Sequence, residues 1–406
     1  MWLTLGAAAL VAYLAYYFAI RSASGDRHIH FLELHNKYGP FVRFALNRIS
    51  VNTTEGLQKI YGAKDNTQKS CSLTSIDHSL HLKKKRVMSS ALSDSSVRAM
   101  EDIVLRNIIN SRLSDICFSN SFDMLDKPDN RYILKVLPLG VNALSMSGWM
   151  PGVLRLKLGK ILFSKLNEDM KRYEAFANEP LFSDHDLVRE SSLLITGTTA
   201  ISATFFYLLH NLHAYQRIKD EVRPCLKSVD EIVGCATLIS CRWLRVCIDE
   251  AMRMSPDVPG LLLRHALAGD VEIAGHVFPE GVDLGVCHYS IHHNEEYCPD
   301  SFCYRLERCL EVRSTNSKSG HEKAAFCTFS IGLRGCAGKS MAMKELLVTI
   351  TRFVWLYNMR LAPIEEYCGA RGSGKGYSRH RIIEYQMQDI FVSRSDRPQV
   401  QFRRLV

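Results

Sequence analysis

Between Phe329 and Gly338 the chain reads Phe-Ser-Ile-Gly-Leu-Arg-Gly-Cys-Ala-Gly, and this decapeptide constrains the rest of the molecule more than any other stretch. Glycines at 332, 335 and 338 allow a tight loop whose backbone passes close to a flat group. The residues that follow, from Lys339 to about Tyr357, have the pattern of a helix. Cys336 therefore sits just before a helix N-terminus, where free amides and the positive end of the dipole favour thiolate over thiol. Arg334 offers a fixed cation with bidentate geometry for a carboxylate, and Phe329 an aromatic cover. Gly338-Lys339-Ser340 has the look of the tail of a phosphate-binding loop, but the glycine such a loop needs falls at Leu333. A plain glycine turn around a buried cysteine is the other structural reading.

The remaining cysteines argue against a disulfide scaffold. Thirteen are scattered from Cys71 to Cys368 with no CxxC pair, in a chain of 406 residues that is long enough to bury a core without staples. Most read as small buried hydrophobes in a reducing compartment. The net charge of +9 has one dense run, Lys83-Lys84-Lys85-Arg86, too short for a nucleic-acid track. A positive surface suits anionic headgroups or an acidic redox partner.

Trp2 to Ile20 carries no charge and is followed by Arg21 and Arg27. About 19 residues at 1.5 Å each reach roughly 28 Å, enough to cross a bilayer core. We expect an uncleaved single-pass anchor over residues 1–20, with residues 21–406 as one domain on the cytosolic side. The Asn52-Thr53-Thr54 sequon then stays unglycosylated.

Past the anchor, His35 to Pro40 reads as a turn, Phe41 to Phe44 as a short strand and Ile49 to Val51 as its partner. Ser79 to Ile109 has helical spacing, and Asp184 begins a long helix through Leu194, Phe205, Leu209 and Leu212. A further helix covers Leu238 to Met254 and stops before Pro256. Short alternating runs around Val271, His276 and Gly281 read as hairpin strands. The tally is mainly helix with a minority of strand, in one domain without repeats or linkers.

Phe-x-x-Gly-x-Arg-x-Cys-x-Gly resembles the haem-binding signature of the cytochrome P-450 monooxygenases, with all of its fixed positions present in order. Upstream, Glu250 and Arg253 stand at i and i+3 on one helix face and can pair; alone, such a pair is usually a solvated bridge. The resemblance implies instead a buried pair near the haem, joined by Arg308 from Tyr304-Arg305-Leu306-Glu307-Arg308, where Leu306 replaces the usual proline. It implies the mainly α cytochrome P-450 fold with small hairpin sheets, the haem lying between the long oxygen-binding helix and the Cys336 loop. Cys336 becomes the axial thiolate on haem b. Phe329, Gly332, Arg334 and Gly338 cradle the cofactor, and Arg264, His81 and Lys85 stand where the family holds propionates. From about Leu187 onward the phrases are similar to the filamentous-fungal secondary-metabolism branch, with its benzoate para-hydroxylase-like and terpenoid or trichothecene hydroxylase members. That branch implies a small lipophilic substrate, electrons passed from NADPH by a membrane-bound NADPH–cytochrome reductase, no nucleic-acid partner, and residence at the endoplasmic reticulum membrane.

Two departures stand out. The chain is shorter than membrane-bound relatives, with segments missing near Asp65, near Arg112 and before Pro180, where the family roofs its substrate pocket. The oxygen helix of the family carries an acid before a threonine pair that helps to deliver protons. Here the run is Leu194-Ile195-Thr196-Gly197-Thr198-Thr199-Ala200, with hydroxyls at Thr198 and Thr199 and no acid. Adjacent helix positions lie about 100° apart, so only one of the two faces the iron; Thr198 is our expectation. Two rival readings follow from these gaps: a haem-binding protein with impaired turnover, and a haem-thiolate isomerase or dehydratase that adds no oxygen.

Overall fold

A computed structural model describes residues 25–62, 66–69, 199–233, 236–313, 320–332, 335–336, 338–363, 379–381, 383–395 and 398–405. The N-terminal segment expected as an anchor and the helix expected over Ser79 to Ile109 lie outside them. Among the described residues no helix is long and apolar enough to cross a membrane.

Helix α1 (Arg27–Tyr38) opens the described chain and runs through the stretch expected as a turn from His35; the turn itself is Gly39–Pro40, with Gly39 at φ 89°. Strands β1 (Phe41–Ala45) and β2 (Arg48–Val51) pair antiparallel, as their alternation predicts. Thr53 then caps helix α2 (Thr54–Tyr61), its hydroxyl accepting from the Gly56 amide at 2.9 Å. Strand β3 (Thr67–Lys69) completes the N-terminal share of the main sheet.

The helical half is built from a helix described over residues 199–210 (α3), α4 (Leu212–Cys225), the short α5 (Ala236–Ser240), α6 (Arg242–Met254) and, near the C-terminus, α10 (Lys339–Leu356). Phe205, Leu209, Ile218, Val222, Leu244, Ile248, Leu347 and Ile350 interdigitate as its core. Two continuous helices expected from periodicity are each broken. Asn211 leaves helical geometry and its side chain accepts from the Ala214 amide, so Leu212 starts a new helix. Cys241, with ψ 101°, separates α5 from α6. Hydrophobic spacing continues across both breaks, and for that reason periodicity alone does not show them. Helix α6 is buried almost all round from Val246 to Met254 and stops before Pro256.

Strand β4 (Arg264–Ala266) follows, then the hairpin of β5 (Val271–Ile273) and β6 (His276–Phe278), turned by Ala274 and Gly275, both at positive φ. Strand β7 (Asp283–Gly285) lies parallel to β2 and antiparallel to β4, giving a five-stranded order β1-β2-β7-β4-β3. Helices α7 (His288–His292), α8 (Leu306–Arg313) and α9 (Gly320–Ala325) lead to the cysteine loop. Strand β8 (Tyr357–Leu361) pairs with β11 (Val400–Arg404), and β9 (Met387–Ile390) with β10 (Val392–Ser395). The buried Arg27–Asp389 ion pair, at 2.6 Å, ties α1 to β9.

Glu345 on α10 is a half-buried acid whose enclosed Oε1 has no hydrogen-bond partner among the described residues, and desolvation raises its carboxyl to about 7. The unfolded chain ionises from about 4.5, so folding stability is full below that pH and falls as pH rises through about 7. The loss is roughly 3 kcal/mol for a shift of this size. We expect Glu345→Gln to flatten this part of the profile and to be the more stable form at pH 8, measured by urea unfolding.

Candidate active site

The cysteine loop is held by its own backbone. Ser330 N donates to Cys327 O at 2.7 Å, Gly335 N to Gly332 O at 3.1 Å, and Cys336 N to Phe329 O at 2.8 Å. Gly332 adopts φ 68°, and a Cβ there would stand 2.0 Å from the Tyr61 carbonyl oxygen. Glycine is therefore required twice over, for its backbone angle and for the close approach of α2. Cys336 is exposed at the mouth of the loop, two residues before Gly338, which caps α10 without a side chain. The first amides of α10 are thus directed at the loop without a capping side chain from Gly338. Phe329 is partly buried, and the Lys339 ammonium stands 5.8 Å from its ring centre. The buried thiols have the opposite character: burial pushes Cys287 up to about 12 and also raises Cys247, Cys298, Cys309 and Cys327.

Behind the loop lies a buried charge cluster. Arg253 Nε donates to Glu250 Oε2 at 2.9 Å and Arg253 Nη2 to Oε1 at 3.0 Å, a bidentate pair within α6. Arg308 approaches the same carboxylate, with its Nε 3.5 Å from Oε1, and donates to Glu322 Oε1 at 3.2 Å and Pro299 O at 2.7 Å. Burial works against the Arg253 charge, but Glu250 outweighs it and raises the guanidinium above its ordinary value. The three sequence-predicted residues Glu250, Arg253 and Arg308 therefore meet; the sequence gives no signal for Glu322 as a fourth.

His292 links this cluster to the loop. Its Nε2 accepts from the Cys327 amide at 3.1 Å, so the proton sits on Nδ1, which donates to Arg253 O at 3.1 Å. Arg253 Nη1 donates in turn to His292 O at 2.7 Å. Burial, with His288 and Arg253 adding to it, holds His292 neutral, well below the usual histidine value. A rigid path thus runs from α6 through α7 to Cys327, two residues before Phe329.

On the sheet side, Arg264 is buried on β4. Its guanidinium lies 4.9 Å from the Tyr61 ring centre, and its Nη1 donates to Leu263 O at 3.2 Å. Tyr61 is itself fixed, its hydroxyl donating to Leu262 O and accepting from Val286 N. The same tyrosine carries Arg264 on its ring and presses its carbonyl against Gly332, which joins the cation to the cysteine loop. His288 is buried nearby, and neither ring nitrogen makes a hydrogen bond among the described residues. Burial lowers it to about 4, with the Val258 backbone opposing the shift and Arg264 adding to it. A buried guanidinium beside an imidazole with unused nitrogens fits a planar group bearing a carboxylate. With an exposed cysteine beside helix amides, this donor set fits a haem and its propionates.

Thr199 is buried at the start of the described part of α3, and its hydroxyl donates to Ser393 O on β10 at 3.1 Å. Thr198, Arg334, His81 and Lys85 lie outside the described residues. Tyr61, His288 and His292 carry no sequence motif of their own; their roles appear only when distant segments pack.

A helix-rich fold with small open sheets, an exposed cysteine in a glycine loop and a buried Glu–Arg–Arg cluster define the class of haem-thiolate enzymes. Comparisons with known proteins agree. The sequence profile described as Cytochrome P450 matches residues 178–368. The chain is 30% identical to "Cytochrome P450 monooxygenase apf7" of Gibberella fujikuroi, over 94% of this chain and 89% of that protein. It is 28% identical to "Cytochrome P450 monooxygenase AKT7" of Alternaria alternata, over 97% and 90%, and 29% identical to "Cytochrome P450 monooxygenase atnE" of Emericella nidulans, over 96% and 89%. The first alignment runs over 478 positions, more than the 406 residues of this chain, so that relative carries segments this chain lacks. The chain belongs to the cytochrome P450 family, and its activity is that of a monooxygenase, an oxidoreductase that incorporates oxygen.

Proposed function

We propose that the protein hydroxylates a small lipophilic secondary metabolite, taking electrons from NADPH through a membrane-bound reductase. The overall reaction is R–H + O2 + NADPH + H⁺ → R–OH + H2O + NADP⁺. Bound haem with a cysteine thiolate supplies the oxygen activation. The observation that carries the reading is the Cys336 loop, an exposed thiol at the start of α10 in a backbone-locked turn.

The residues of the chain have defined tasks in this reaction. Cys336 would hold the metal as thiolate, favoured by the α10 amides, with Arg334 assigned to a carboxylate from the family resemblance. Arg264 and His288 hold carboxylates on the sheet side, with His81 and Lys85 assigned to the same work from the family resemblance. Glu250, Arg253 and Arg308 keep the loop in register through His292. Thr198 offers a hydroxyl on the oxygen helix, since the Thr199 hydroxyl is already committed to Ser393. The apolar run from Trp2 to Ile20 supports an anchor in the endoplasmic reticulum membrane with the catalytic domain in the cytosol. Removing residues 1–19 should move the protein from the membrane fraction to the soluble one, and a fully soluble intact chain overturns the anchor.

The decisive assay combines the full-length protein, an NADPH–cytochrome reductase and a lipophilic extract from a strain lacking this protein, under isotopically labelled O2. We expect one accumulated compound to be consumed and one labelled oxygen atom to appear in its product. A product of unchanged oxygen content overturns hydroxylation in favour of an isomerase or dehydratase. A second reading, haem binding with poor turnover, draws on the segments absent relative to the first relative; NADPH oxidation with no labelled product supports it.

A further inference from the structure

The oxygen helix has no acid between Leu194 and Ala200, yet a carboxyl reaches it from elsewhere in the fold. Asp257 lies on the loop after α6, between Pro256 and Val258. Its Oδ1 is buried and makes no hydrogen bond among the described residues. Its carboxyl faces the Ala200 amide, next to Thr199. The contact is built from three segments: Ser393 N donates to Asp257 O at 2.7 Å, and Thr199 Oγ1 donates to Ser393 O at 3.1 Å. Ser393 Oγ is likewise buried with no partner among the described residues, so the cluster holds an acid oxygen and one hydroxyl with hydrogen-bonding capacity to spare. The group that meets the carboxyl from α3, the Ala200 amide, does not titrate. Burial pushes the carboxyl well above the usual carboxylate range, with the Ala200 amide as the opposing influence and no charged side chain among the described residues contributing. Burial thus favours the protonated form of the Asp257 carboxyl.

We propose that Asp257 is the acid of the oxygen helix, supplied from the loop after α6 at the Ala200 amide and acting as a proton-positioning residue for that helix. This rests on the monooxygenase reading above. Hydroxylation takes up two protons as one oxygen atom of O2 leaves as water. The proton released from Asp257 is replaced from solvent, so the step needs no reactant beyond those already named. A neutral acid suits this task better than a carboxylate, because proton donation is most effective from a group whose affinity lies near the working pH.

A plain capping role predicts otherwise, and Asp257→Asn separates the two, since the amide keeps an acceptor for Ala200 but loses the acid. The probe is cumene hydroperoxide with haem-loaded full-length protein, which needs neither reductase nor natural substrate. Heterolysis of its O–O bond with proton uptake leaves 2-phenyl-2-propanol. Homolysis leaves an alkoxyl radical that sheds methyl to give acetophenone. We expect Asp257→Asn to raise the acetophenone-to-alcohol ratio by about tenfold or more, at the low end of what a general acid contributes. Asp257→Glu should restore most of the original ratio, and an infrared band of a protonated carboxyl, shifted in D2O, should vanish in the Asn variant alone. An unchanged ratio in Asp257→Asn, with the thiolate-ligated carbon-monoxide band intact, overturns the proposal and leaves the family reading standing. Should the Asn variant not fold, a protonated-carboxyl infrared band that moves in Asp257→Glu supports the proposal, and a band that does not move overturns it. Absence of the carbon-monoxide band in the unmodified protein overturns both.

Discussion

Cys336→Ala is expected to abolish the long-wavelength carbon-monoxide band of the reduced protein altogether, while alanine at Cys298, Cys309 or Cys327 leaves it in place. The band reports a thiolate on iron, and the thiolate must be both accessible and stabilised. Cys336 is exposed and lies beside the unshielded amides of α10. Cys327, nine residues earlier, is fully buried, and its thiol is pushed far above its ordinary value by that burial. Cys298 and Cys309 are raised for the same cause, and Cys309 additionally by the Glu250 carboxylate. None of the three can reach a ligand outside the core without unpacking it. Survival of the band in Cys336→Ala ends the assignment.

The second large effect is thermodynamic. Glu250 is fully buried and serves Arg253 bidentately, Arg308 at 3.5 Å and the Arg305 amide at 3.3 Å. Removing one member of a buried ion pair leaves the other charge without compensation, at a cost of about 3–5 kcal/mol. Here Arg253 is left with carbonyl partners only, while Arg308 keeps Glu322, so Glu250→Ala should fall within that range. Against a typical domain stability of about 5–15 kcal/mol, that loss leaves a marginal protein. Glu307→Ala is the matched control. Its pair with Arg217 is exposed on both sides, and exposed pairs contribute about 0–1 kcal/mol. Urea unfolding of both variants reads the difference; equal midpoints would show that the buried cluster adds nothing beyond a surface bridge. Haem retention should follow the same order, because Arg253 holds the His292 carbonyl and His292 the Cys327 amide.

The functional consequence of the helix acid is also sharpened by the fold. The run Thr196-Gly197-Thr198-Thr199 by itself predicts a poor proton supply and much of the NADPH lost as hydrogen peroxide. Asp257 arriving at Ala200 gives the same helix an acid by another route, and tight coupling in the unmodified protein then becomes the expected result.

What the sequence determines alone is what neighbouring residues dictate to one another. The C-terminal end of α6, the β5–β6 hairpin with Ala274 and Gly275 at positive φ, and the glycine loop before α10 follow from backbone preferences within a few residues. The i, i+3 spacing of Glu250 and Arg253 places them on one face before any packing. The breaks at Asn211 and Cys241 escape such reading, because hydrophobic spacing runs on through each of them. Tertiary structure alone decides which segments meet. Arg264 and Tyr61 are 203 positions apart in the chain numbering, and Thr199 meets Ser393 across 194. No periodicity reports such contacts, since they exist only once the main sheet joins β2 to β7 and α3 packs on the loop after α6. The chemistry of Cys336 is written in ten consecutive residues; the environment of Asp257 is made by three distant segments whose burial removes water from one carboxyl.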